Sequence, residues 1–305
     1  MLILFKCQIN VSRESEGWCL YNMKKLDQIN AKLKAKLESK KPLLAVHRGS
    51  PGGNLIENTI PAYVAAIRQG GDIIEADVIL STDGVLYTFH DGNELRLCNE
   101  STNIKKLSSA SIDKLKYFDT DYKVERFESV LQYFKGDTLF NVDRAWDYWP
   151  EVLNLVDRYD MADQIILKSH VREELLSYLE AHSTKYMYMP IVKTEEELEI
   201  VKQYRINLVG AEFLASSKES LFAQESYIRS IQQQGLFYWV NAINFDDHTV
   251  LYAGYDDRIS IMDNPDKGWG VMIDQGVDIV QTDWPQLMSN YIQQKRQKDN
   301  VGVTG

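Results

Sequence analysis

The feature that most constrains the fold is an alternation of short β-rich runs with helical patterns, which repeats along most of the chain. Eight runs are predicted as strands, at residues 43–46, 72–78, 139–145, 165–169, 186–192, 208–214, 236–241 and 279–283. Helical patterns lie between them, for example at residues 58–69, 126–135, 172–182, 195–204, 219–234 and 285–296. Because parallel strands need crossover connections, the alternation predicts a parallel α/β sheet, and eight units predict its closure into a TIM (β/α)8 barrel.

The spacing of these runs predicts the domain organisation. The interval from residue 72 to residue 139 is too long for one crossover, so a small insertion after the second strand is predicted at about residues 80–125. Residues 24–41 show a basic amphipathic pattern and are predicted as a helix packed on the barrel. The expected division is an N-terminal extension and helix at 1–41, a barrel domain at 42–297 and a frayed tail at 298–305.

Charge and hydropathy limit the partners. The chain has 34 basic and 44 acidic residues, a net charge of −10, which argues against nucleic acid or an anionic membrane as a partner. It has no apolar run of ~18 residues, so no stable membrane insertion is expected. The apolar start is shorter than the ~7-residue core of a signal peptide, and the odd cysteine count fits free thiols. These features predict a cytoplasmic protein; they do not indicate an oligomeric state.

Polar residues stand at the carboxyl ends of several predicted strands, where barrel enzymes carry their active sites. Charges inside a strand are costly unless they are paired or bound to an ion. The residues concerned are His47, Arg48, Glu75, Asp77, Asp143, Arg144, Lys168, Trp239, Asn241, Thr282 and Asp283. Their position predicts a single polar site at one mouth of the barrel.

Glu75 and Asp77 are two positions apart on a strand, so their carboxylates point to the same side. One interpretation is that a basic neighbour such as Arg48 neutralises one of them. The other is a divalent metal ion that holds both as anions. Oxygen ligands alone favour Mg²⁺ or Ca²⁺ over zinc.

Two histidines are predicted to flank this carboxylate pair. The Asp83-Gly84 sequence predicts a hairpin whose register places His90 opposite Glu75. His47 ends the first strand and faces the same mouth. An imidazole titrates near neutral pH, so the pair suits acid–base chemistry. The other histidines are predicted to lie on the surface: His170, His182 and His248.

Arg48 and the glycine-rich stretch that follows it indicate an anion site. Arg48 offers a planar fork for a phosphate or carboxylate. The glycine-rich stretch 50–54 leads into a helix that either Asn58 or Thr59 caps. Such a loop can also cradle an anion with its backbone N–H groups, although this signal is weak by itself.

Taken in order, these motifs resemble those of the glycerophosphodiester phosphodiesterases. The matching early pieces are His47-Arg48-Gly49, Glu57-Asn58-Thr59, Glu75-Ala76-Asp77, Thr82-Asp83-Gly84 and His90-Asp91. Later pieces are also similar to the family's motifs: Trp239-Val240-Asn241, Gly276-Val277-Asp278 and Thr282-Asp283-Trp284-Pro285. The resemblance covers roughly residues 43–290.

The resemblance implies a phosphodiesterase of the TIM-barrel type with one divalent cation, Ca²⁺ or Mg²⁺. Its metal ligands correspond to Glu75, Asp77 and Asp143. Its catalytic histidines correspond to His47 and His90. The substrate-binding residues expected here are Arg48, Glu57, Lys168 and Trp239.

The sequence departs from the family pattern at the third strand. The third metal ligand is Asp143 where the family has a glutamate, and the family's following lysine is replaced by Ala145. By strand alternation Arg144 is expected to point out of the barrel. Lys168, on the next strand, is therefore the expected source of the missing ammonium group.

The expected reaction is hydrolysis of a glycerophosphodiester to an alcohol and glycerol 3-phosphate, with His47 as base and His90 as acid. The nucleophile is either water or the 2-hydroxyl group of the substrate, which would give a cyclic intermediate. A phospholipase acting on phosphatidylinositol or a sphingolipid is an alternative on the same barrel. The missing lysine after Asp143 also leaves open a non-catalytic phosphodiester-binding protein.

Overall fold

The computed structural model describes the backbone of residues 13–302 and the side chains of residues 24–298. Its strands are β1 (Leu43–Val46), β2 (Ile73–Leu80), β3 (Leu86–Thr88), β4 (Glu125–Arg126), β5 (Leu139–Asp143), β6 (Ile165–Leu167), β7 (Met187–Tyr188), β8 (Ile191–Val192), β9 (Gly210–Phe213), β10 (Phe237–Asn241) and β11 (Ile279–Thr282). Each predicted strand overlaps an observed one, and the ends differ by two residues at most; the predicted strand 186–192 corresponds to β7 and β8 together.

The main sheet is parallel and closes on itself. The strand order is β7-β6-β5-β2-β1-β11-β10-β9-β8. The short strands β7 and β8 follow each other around Pro190; β7 pairs with β6, and β8 pairs with β9. Together they serve as one strand of the barrel, and parallel bridges from His170 to Ile191 and from Tyr188 to Leu208 complete the ring. The predicted TIM barrel is confirmed.

The α-helices of the described residues are α1 (Arg13–Ser39), α2 (Ile60–Arg68), α3 (Glu94–Cys98), α4 (Ser109–Ile112), α5 (Phe127–Phe134), α6 (Trp149–Tyr159), α7 (Glu173–Ala181), α8 (Glu195–Lys202), α9 (Glu225–Gln233), α10 (Asp257–Met262), α11 (Trp269–Asp274) and α12 (Pro285–Gly302). The patterns predicted as helices correspond to α2, α5, α7, α8, α9 and α12. The helices α3, α4, α6, α10 and α11 have no counterpart among the helical patterns named from the sequence. No helix in the described part of the chain is long and apolar enough to cross a membrane.

Helix α1 closes the amino end of the barrel. Its buried residues Ile29, Leu33 and Leu37 repeat at intervals of four and face the barrel interior. There they belong to one apolar cluster with side chains in the strands or just before them: Leu43, Ala45, Ile73, Leu139, Ile166, Met187, Val209, Trp239 and Ile279. The helix begins eleven residues before the predicted start at residue 24 and is part of the barrel core. Residues 1–12 of the expected N-terminal extension lie outside the described residues, as do residues 303–305 of the tail.

The insertion after β2 forms a small unit with its own core. Strand β3 runs antiparallel to β2, and β4 extends this ribbon. Its apolar side chains pack together under the loops: Ile79, Tyr87, Phe89, Leu97, Ile104, Ile112, Tyr117 and Val124. Gly84 takes the left-handed conformation (φ +83°) that the tight turn requires. The predicted hairpin is therefore present.

The register of this hairpin differs from the prediction by one residue. Val78 lies opposite Thr88, and Leu80 lies opposite Leu86. Continued to the next positions, this register sets His90 against Ala76 and not against Glu75. However, β3 ends at Thr88, so His90 lies beyond the ladder. The backbone turn after the strand, and not strand pairing, decides where its imidazole lies.

Candidate active site

A cavity of about 240 Å³ opens at the carboxyl ends of the strands. Its lining brings together most of the residues predicted for the site: His47, Arg48, Glu75, Asp77, His90, Asp143 and Lys168. Of the predicted site residues, Glu57 and Trp239 do not line it. The strand ends supply these side chains because every strand of the parallel barrel points its carboxyl end to the same mouth.

Three carboxylates stand side by side on β2 and β5. Asp77 pairs in register with Asp143, and Glu75 lies one pleat earlier on the same side of β2. Glu75 and Asp77 are almost completely buried. Burial, and next the charge of Asp77, raise the pKa of Glu75 to about 8. This part of the site therefore carries more negative charge than its surroundings easily accommodate.

Arg48 follows β1 in a left-handed conformation, with φ at +56°. Its backbone N–H donates to Glu75 Oε2 at 2.8 Å. Its guanidinium donates from Nη1 to Glu57 Oε1 at 3.1 Å, and its Nε lies 3.0 Å from Asp77 Oδ2. Glu57 also accepts a hydrogen bond from Arg96 at 2.7 Å. Glu57, which does not line the cavity, therefore holds Arg48 in place.

Asn58 is a site residue that sequence reasoning treated only as a possible helix cap. Thr59 caps α2 instead, accepting from the backbone N–H of Ala62. Asn58 is buried with φ at +58° and donates from Nδ2 to Asp77 Oδ2 at 2.9 Å. Its Oδ1 accepts from the backbone N–H of Asp77 and from the hydroxyl of Tyr63. Asn58 thereby fixes the orientation of the Asp77 carboxylate.

His47 is paired with an acid from the last strand of the barrel. Its Nδ1 lies 2.9 Å from Oδ1 of Asp283. Burial by itself lowers the pKa of His47, but the hydrogen bond to Asp283 and the nearby charge of Glu75 outweigh it. The pKa of His47 therefore lies above its usual value. Phe245 covers the imidazole, with ring centroids 6.3 Å apart.

His90 has the opposite electrostatic environment. Its Nδ1 lies 2.8 Å from the carbonyl oxygen of Asp91. Burial, helped by the positive charges of Arg48 and Arg144, lowers the pKa of His90 despite the opposing charge of Asp77. The two histidines of the site thus differ in their preferred protonation states.

Arg144 does not point out of the barrel as strand alternation predicted. Strand β5 ends at Asp143, and Arg144 takes a left-handed conformation with φ at +55°. Its side chain lines the cavity and donates to Asp91 Oδ1 at 2.8 and 3.0 Å. The period of two that governs a strand no longer applies once the backbone leaves extended conformation.

Lys168 lies between two acids, as the prediction of a replacement ammonium group requires. Its Nζ is 3.1 Å from Asp143 Oδ2 and 2.8 Å from Glu212 Oε2. Burial by itself lowers the pKa of Lys168, but these two carboxylates raise it well above its usual value. Sequence reasoning missed Glu212, although a lone acid in the apolar run 208–214 was a usable signal.

Trp239, predicted as a substrate-binding residue, does not line the cavity. Its side chain is fully buried in the barrel interior, beneath Lys168, whose Nζ lies 5.3 Å from the ring centroid. The surface prediction for His170 is confirmed, because this residue is exposed, and the structure adds that it stands at the cavity rim beside Trp146. Strand position alone does not show at which depth of a barrel a side chain lies.

A second cavity, of about 620 Å³, adjoins the first. The two share His47 and Arg48 in their linings. The outer cavity is also lined by Ser50, Pro51, Glu57, Gln69, Asp283, Trp284, Pro285, Gln286 and Leu287. A ligand held at His47 and Arg48 can therefore extend in two directions.

Comparison with known proteins gives relatives along most of the chain. A glycerophosphodiester phosphodiesterase of Caldanaerobacter subterraneus subsp. tengcongensis is 25% identical over 265 residues, which cover 83% of this chain and 98% of that protein. The enzyme GDPD6 of Arabidopsis thaliana is 48% identical over 60 residues, but these span only 20% of this chain and 16% of the relative. A family model described as a domain of unknown function (DUF4996) matches residues 188–292.

Solved structures share the architecture. A glycerophosphoryl diester phosphodiesterase of Parabacteroides distasonis has a TM-score of 0.69 and 19% identity, covering 83% of this chain and 86% of that one. An Oleispira antarctica phosphodiesterase in complex with the product sn-glycerol-3-phosphate has a TM-score of 0.62 and 18% identity, covering 84% of this chain and 99% of that one. The fold is that of the glycerophosphodiester phosphodiesterases.

The resemblance predicted from the sequence motifs is therefore confirmed. The relatives that carry the name of glycerophosphodiester phosphodiesterases include one aligned over nearly its whole length. The names of these relatives also agree with the prediction of an enzyme of this class. The shared barrel is what sets the mouth at the carboxyl ends of β1, β2 and β5.

The donor set of the site suits the cation expected for a glycerophosphodiester phosphodiesterase. Within residues 24–298 no three His, Cys, Asp or Glu side chains already surround one point as a metal centre. Asp77 is turned towards Arg48 and Asn58, and Asp143 is turned towards Lys168. Glu75 forms no ion pair with any described side chain, and it is buried between like charges. Carboxylate oxygens on adjacent strands are ligands that fit Mg²⁺ or Ca²⁺.

Removing the ammonium group of Lys168 is expected to destabilise this site. Lys168→Met leaves Asp143 and Glu212 buried without their shared cation, which should cost roughly 3–5 kcal/mol of unfolding free energy. Denaturant unfolding measures this loss. Lys202→Met is the control, since Lys202 pairs with Glu199 on the surface and its loss should cost less than about 1 kcal/mol. Equal stability of the Lys168→Met variant and the wild type would contradict this assignment, and an unchanged kcat would remove Lys168 from the site.

Proposed function

We propose that this protein hydrolyses glycerophosphodiesters to an alcohol and glycerol 3-phosphate. One observation carries the proposal: His47, His90, Arg48 and three carboxylates converge on a single cavity at the carboxyl ends of the barrel strands. The shared fold and the names of the relatives support the same reaction class. The sn-glycerol-3-phosphate held by the Oleispira antarctica enzyme supports this product.

Arg48 and Lys168 supply positive charge for the phosphate group. Arg48 is held by Glu57 and Asp77, so its guanidinium does not need to reorganise when an anion arrives. Lys168 is held between Asp143 and Glu212 at the inner end of the same cavity. Charge placed in advance on both sides of the phosphate stabilises the charge that develops on its oxygens.

Glu75, Asp77 and Asp143 are the residues that would hold one divalent cation, Mg²⁺ or Ca²⁺. When bound, such a cation polarises a phosphoryl oxygen and helps to form a nucleophile at neutral pH. Asn58 and Arg48 already orient the Asp77 carboxylate from the protein side. The raised pKa of Glu75 indicates a position where a positive charge is favourable.

The two histidines move the protons. The raised pKa of His47 favours its protonated form, and the lowered pKa of His90 favours its neutral form. We therefore assign His47 as the general acid for the leaving oxygen and His90 as the general base for the nucleophile. This is the reverse of the assignment that the sequence suggested.

A substrate panel tests the proposed reaction. The protein is freed of metal with EDTA and assayed with several glycerophosphodiesters, before and after Mg²⁺, Ca²⁺ or Mn²⁺ is restored. We expect glycerol 3-phosphate to appear only with a cation. Detection of a cyclic phosphate would identify the 2-hydroxyl group as nucleophile. Tight binding of the diesters without turnover under every condition would indicate a binding protein and overturn the proposal.

Replacing Asp283 is expected to change the pH dependence in a defined direction. Asp283 raises the pKa of His47, so Asp283→Asn lowers it. If His47 is the acid, it must be protonated, and the alkaline limb of the kcat/KM profile moves to lower pH. The acid limb, which follows His90, stays in place.

The measurement is a pH–rate profile of the variant beside the wild type. Asp274→Asn is the control, because Asp274 lies on α11 and pairs with Lys295 on the surface. Movement of the acid limb with a fixed alkaline limb would restore His47 as the base. An unchanged profile would contradict both assignments.

A further inference from the structure

A buried carboxylate that lines neither cavity connects the site to the segment after β10. Asp257 is the first residue of α10 and is 2% exposed. Its Oδ1 accepts from Trp269 Nε1 at 2.7 Å and from Thr282 Oγ1 at 2.8 Å. Its Oδ2 accepts from the backbone N–H of Asp283 at 2.9 Å. No other described carboxylate accepts a hydrogen bond from the hydroxyl of Thr282 or the backbone N–H of Asp283, at the carboxyl end of β11.

Two of the donors to Asp257, the hydroxyl of Thr282 and the backbone N–H of Asp283, belong to the turn that carries the acid partner of His47. The backbone N–H of His47 donates to the carbonyl oxygen of Thr282 at 3.2 Å. The hydroxyl of Thr282 accepts from the backbone N–H of Trp284 at 2.9 Å. Asp283 lies between them, and its carboxylate reaches His47 Nδ1 at 2.9 Å although its side chain is 40% exposed. An exposed side chain keeps such a contact only if its backbone is held.

Asp257 is itself held firmly. Its backbone N–H donates to the carbonyl oxygen of Ala242, just after β10, at 2.7 Å. The neighbouring Asp256 caps α10 by accepting from the backbone N–H of Ile259 at 2.8 Å. Asp257 therefore joins the ends of β10 and β11 by short hydrogen bonds.

Asp257 forms no ion pair with any side chain in residues 24–298, so only neutral donors compensate its burial. A buried carboxyl group without a cation is costly, and a position that served packing alone would favour an apolar residue. Burial raises the pKa of Asp257 to about 7, which reflects this cost. In return, the two carboxylate oxygens accept hydrogen bonds from Trp269, Thr282 and Asp283, which an apolar side chain could not do.

We propose that Asp257 is a positioning residue: it holds the turn at Thr282 and Asp283 so that the Asp283 carboxylate meets His47. The positioning itself is a property of the folded chain. Its consequence for turnover rests on the proposed function, in which His47 transfers a proton.

The experiment compares Asp257→Asn with Asp256→Asn. Asp257→Asn keeps the shape of the side chain but replaces one carboxylate oxygen by an amide NH₂ group. This group faces hydrogen-bond donors and cannot accept from them. The second makes the same chemical change one residue earlier, at a carboxylate that caps α10 and contacts Asn244 but does not touch the turn. The two variants therefore separate loss of positioning from general loosening of α10.

The first readout is the far-downfield ¹H NMR signal of the proton between His47 Nδ1 and Asp283, which does not depend on activity. We expect it in the wild type and in Asp256→Asn, and we expect its loss in Asp283→Asn and in Asp257→Asn. The second readout is steady-state kinetics. Asp257→Asn should lower kcat roughly 10-fold to 100-fold, as expected when a reacting group is misplaced, with KM within about twofold of the wild type.

Three results would overturn the proposal: a wild-type signal in Asp257→Asn, an equal loss in Asp256→Asn, or a change in KM without a change in kcat. If Asp257→Asn does not fold, Thr282→Val replaces it, because that variant removes one of the two bonds between Asp257 and the turn. An unchanged signal in Thr282→Val then counts against positioning. If the wild type hydrolyses no diester but the signal follows Asp257, the positioning stands and the proposed function fails.

Discussion

Replacing His47 by alanine is expected to lower kcat by roughly 10²–10⁴-fold, the usual contribution of a positioned general acid or base. No other described histidine could take over, because His90 contacts Asp91 and His170 stands at the rim of the cavity. Asp283 cannot substitute, since it lines the outer cavity and not the inner one that holds the carboxylates and His90. Substrate binding through Arg48 should remain, so KM should change far less than kcat.

The matched control is His248→Ala. His248 is exposed in the loop after β10 and belongs to neither cavity lining, so its kcat should stay within about twofold of the wild type. The double variant His47→Ala/His90→Ala should be little slower than either single variant, because residues that act as a unit are not additive. A His47→Ala variant with more than about a tenth of the wild-type kcat would rule out His47 as the acid.

Replacing Glu75 by glutamine is expected to abolish both the cation dependence and most of the activity. The amide keeps the shape of the side chain and can still accept the hydrogen bond from the backbone of Arg48. It removes one negative ligand, and with it the several kcal/mol of transition-state stabilisation that a bound cation supplies. We therefore expect a loss of about 10³-fold or more in kcat/KM.

Thermal unfolding gives a readout of the same change without any substrate. A cation that binds only the folded state at about 100 times its Kd stabilises that state by about 2.7 kcal/mol. The Tm of the wild type should therefore rise by several degrees with Mg²⁺ or Ca²⁺, while the Tm of Glu75→Gln should not respond.

Glu125→Gln is the control for this prediction. Glu125 is a partly buried acid on β4 that lines neither cavity, and its variant should keep both the activity and the cation response. A cation response in Glu75→Gln equal to that of the wild type would remove Glu75 from the metal site. A wild type that is fully active in excess EDTA would contradict the cation altogether.

Much of this architecture follows from local sequence patterns. The alternation of β-rich and helical runs predicted the barrel because each strand and each crossover helix carries its own periodicity. Glu75 and Asp77 were predicted to share a face because they lie on one strand, where alternation is strict. His47 and Arg48 were placed at the mouth because they directly follow the first strand. These inferences needed no knowledge of distant contacts.

Two departures from the predictions lie where regular backbone ends. Arg144 follows the last residue of β5 with a positive φ, so the alternation of the strand did not extend to it. His90 follows β3, where the turn decides its direction, and the predicted register was one residue off. Trp239 obeys the alternation of β10 but lies too deep in the barrel to reach a ligand.

The sequence by itself thus determined the barrel, the mouth and the side chains that the strand ends present there. Only the tertiary structure decided which of them meet: His47 with Asp283, Lys168 with Glu212, and Asp257 with the turn after β11. The first of these pairs is separated by 236 residues along the chain. Local periodicity reports which way a side chain points from its own strand, but the partner it meets depends on the closure and register of the whole barrel.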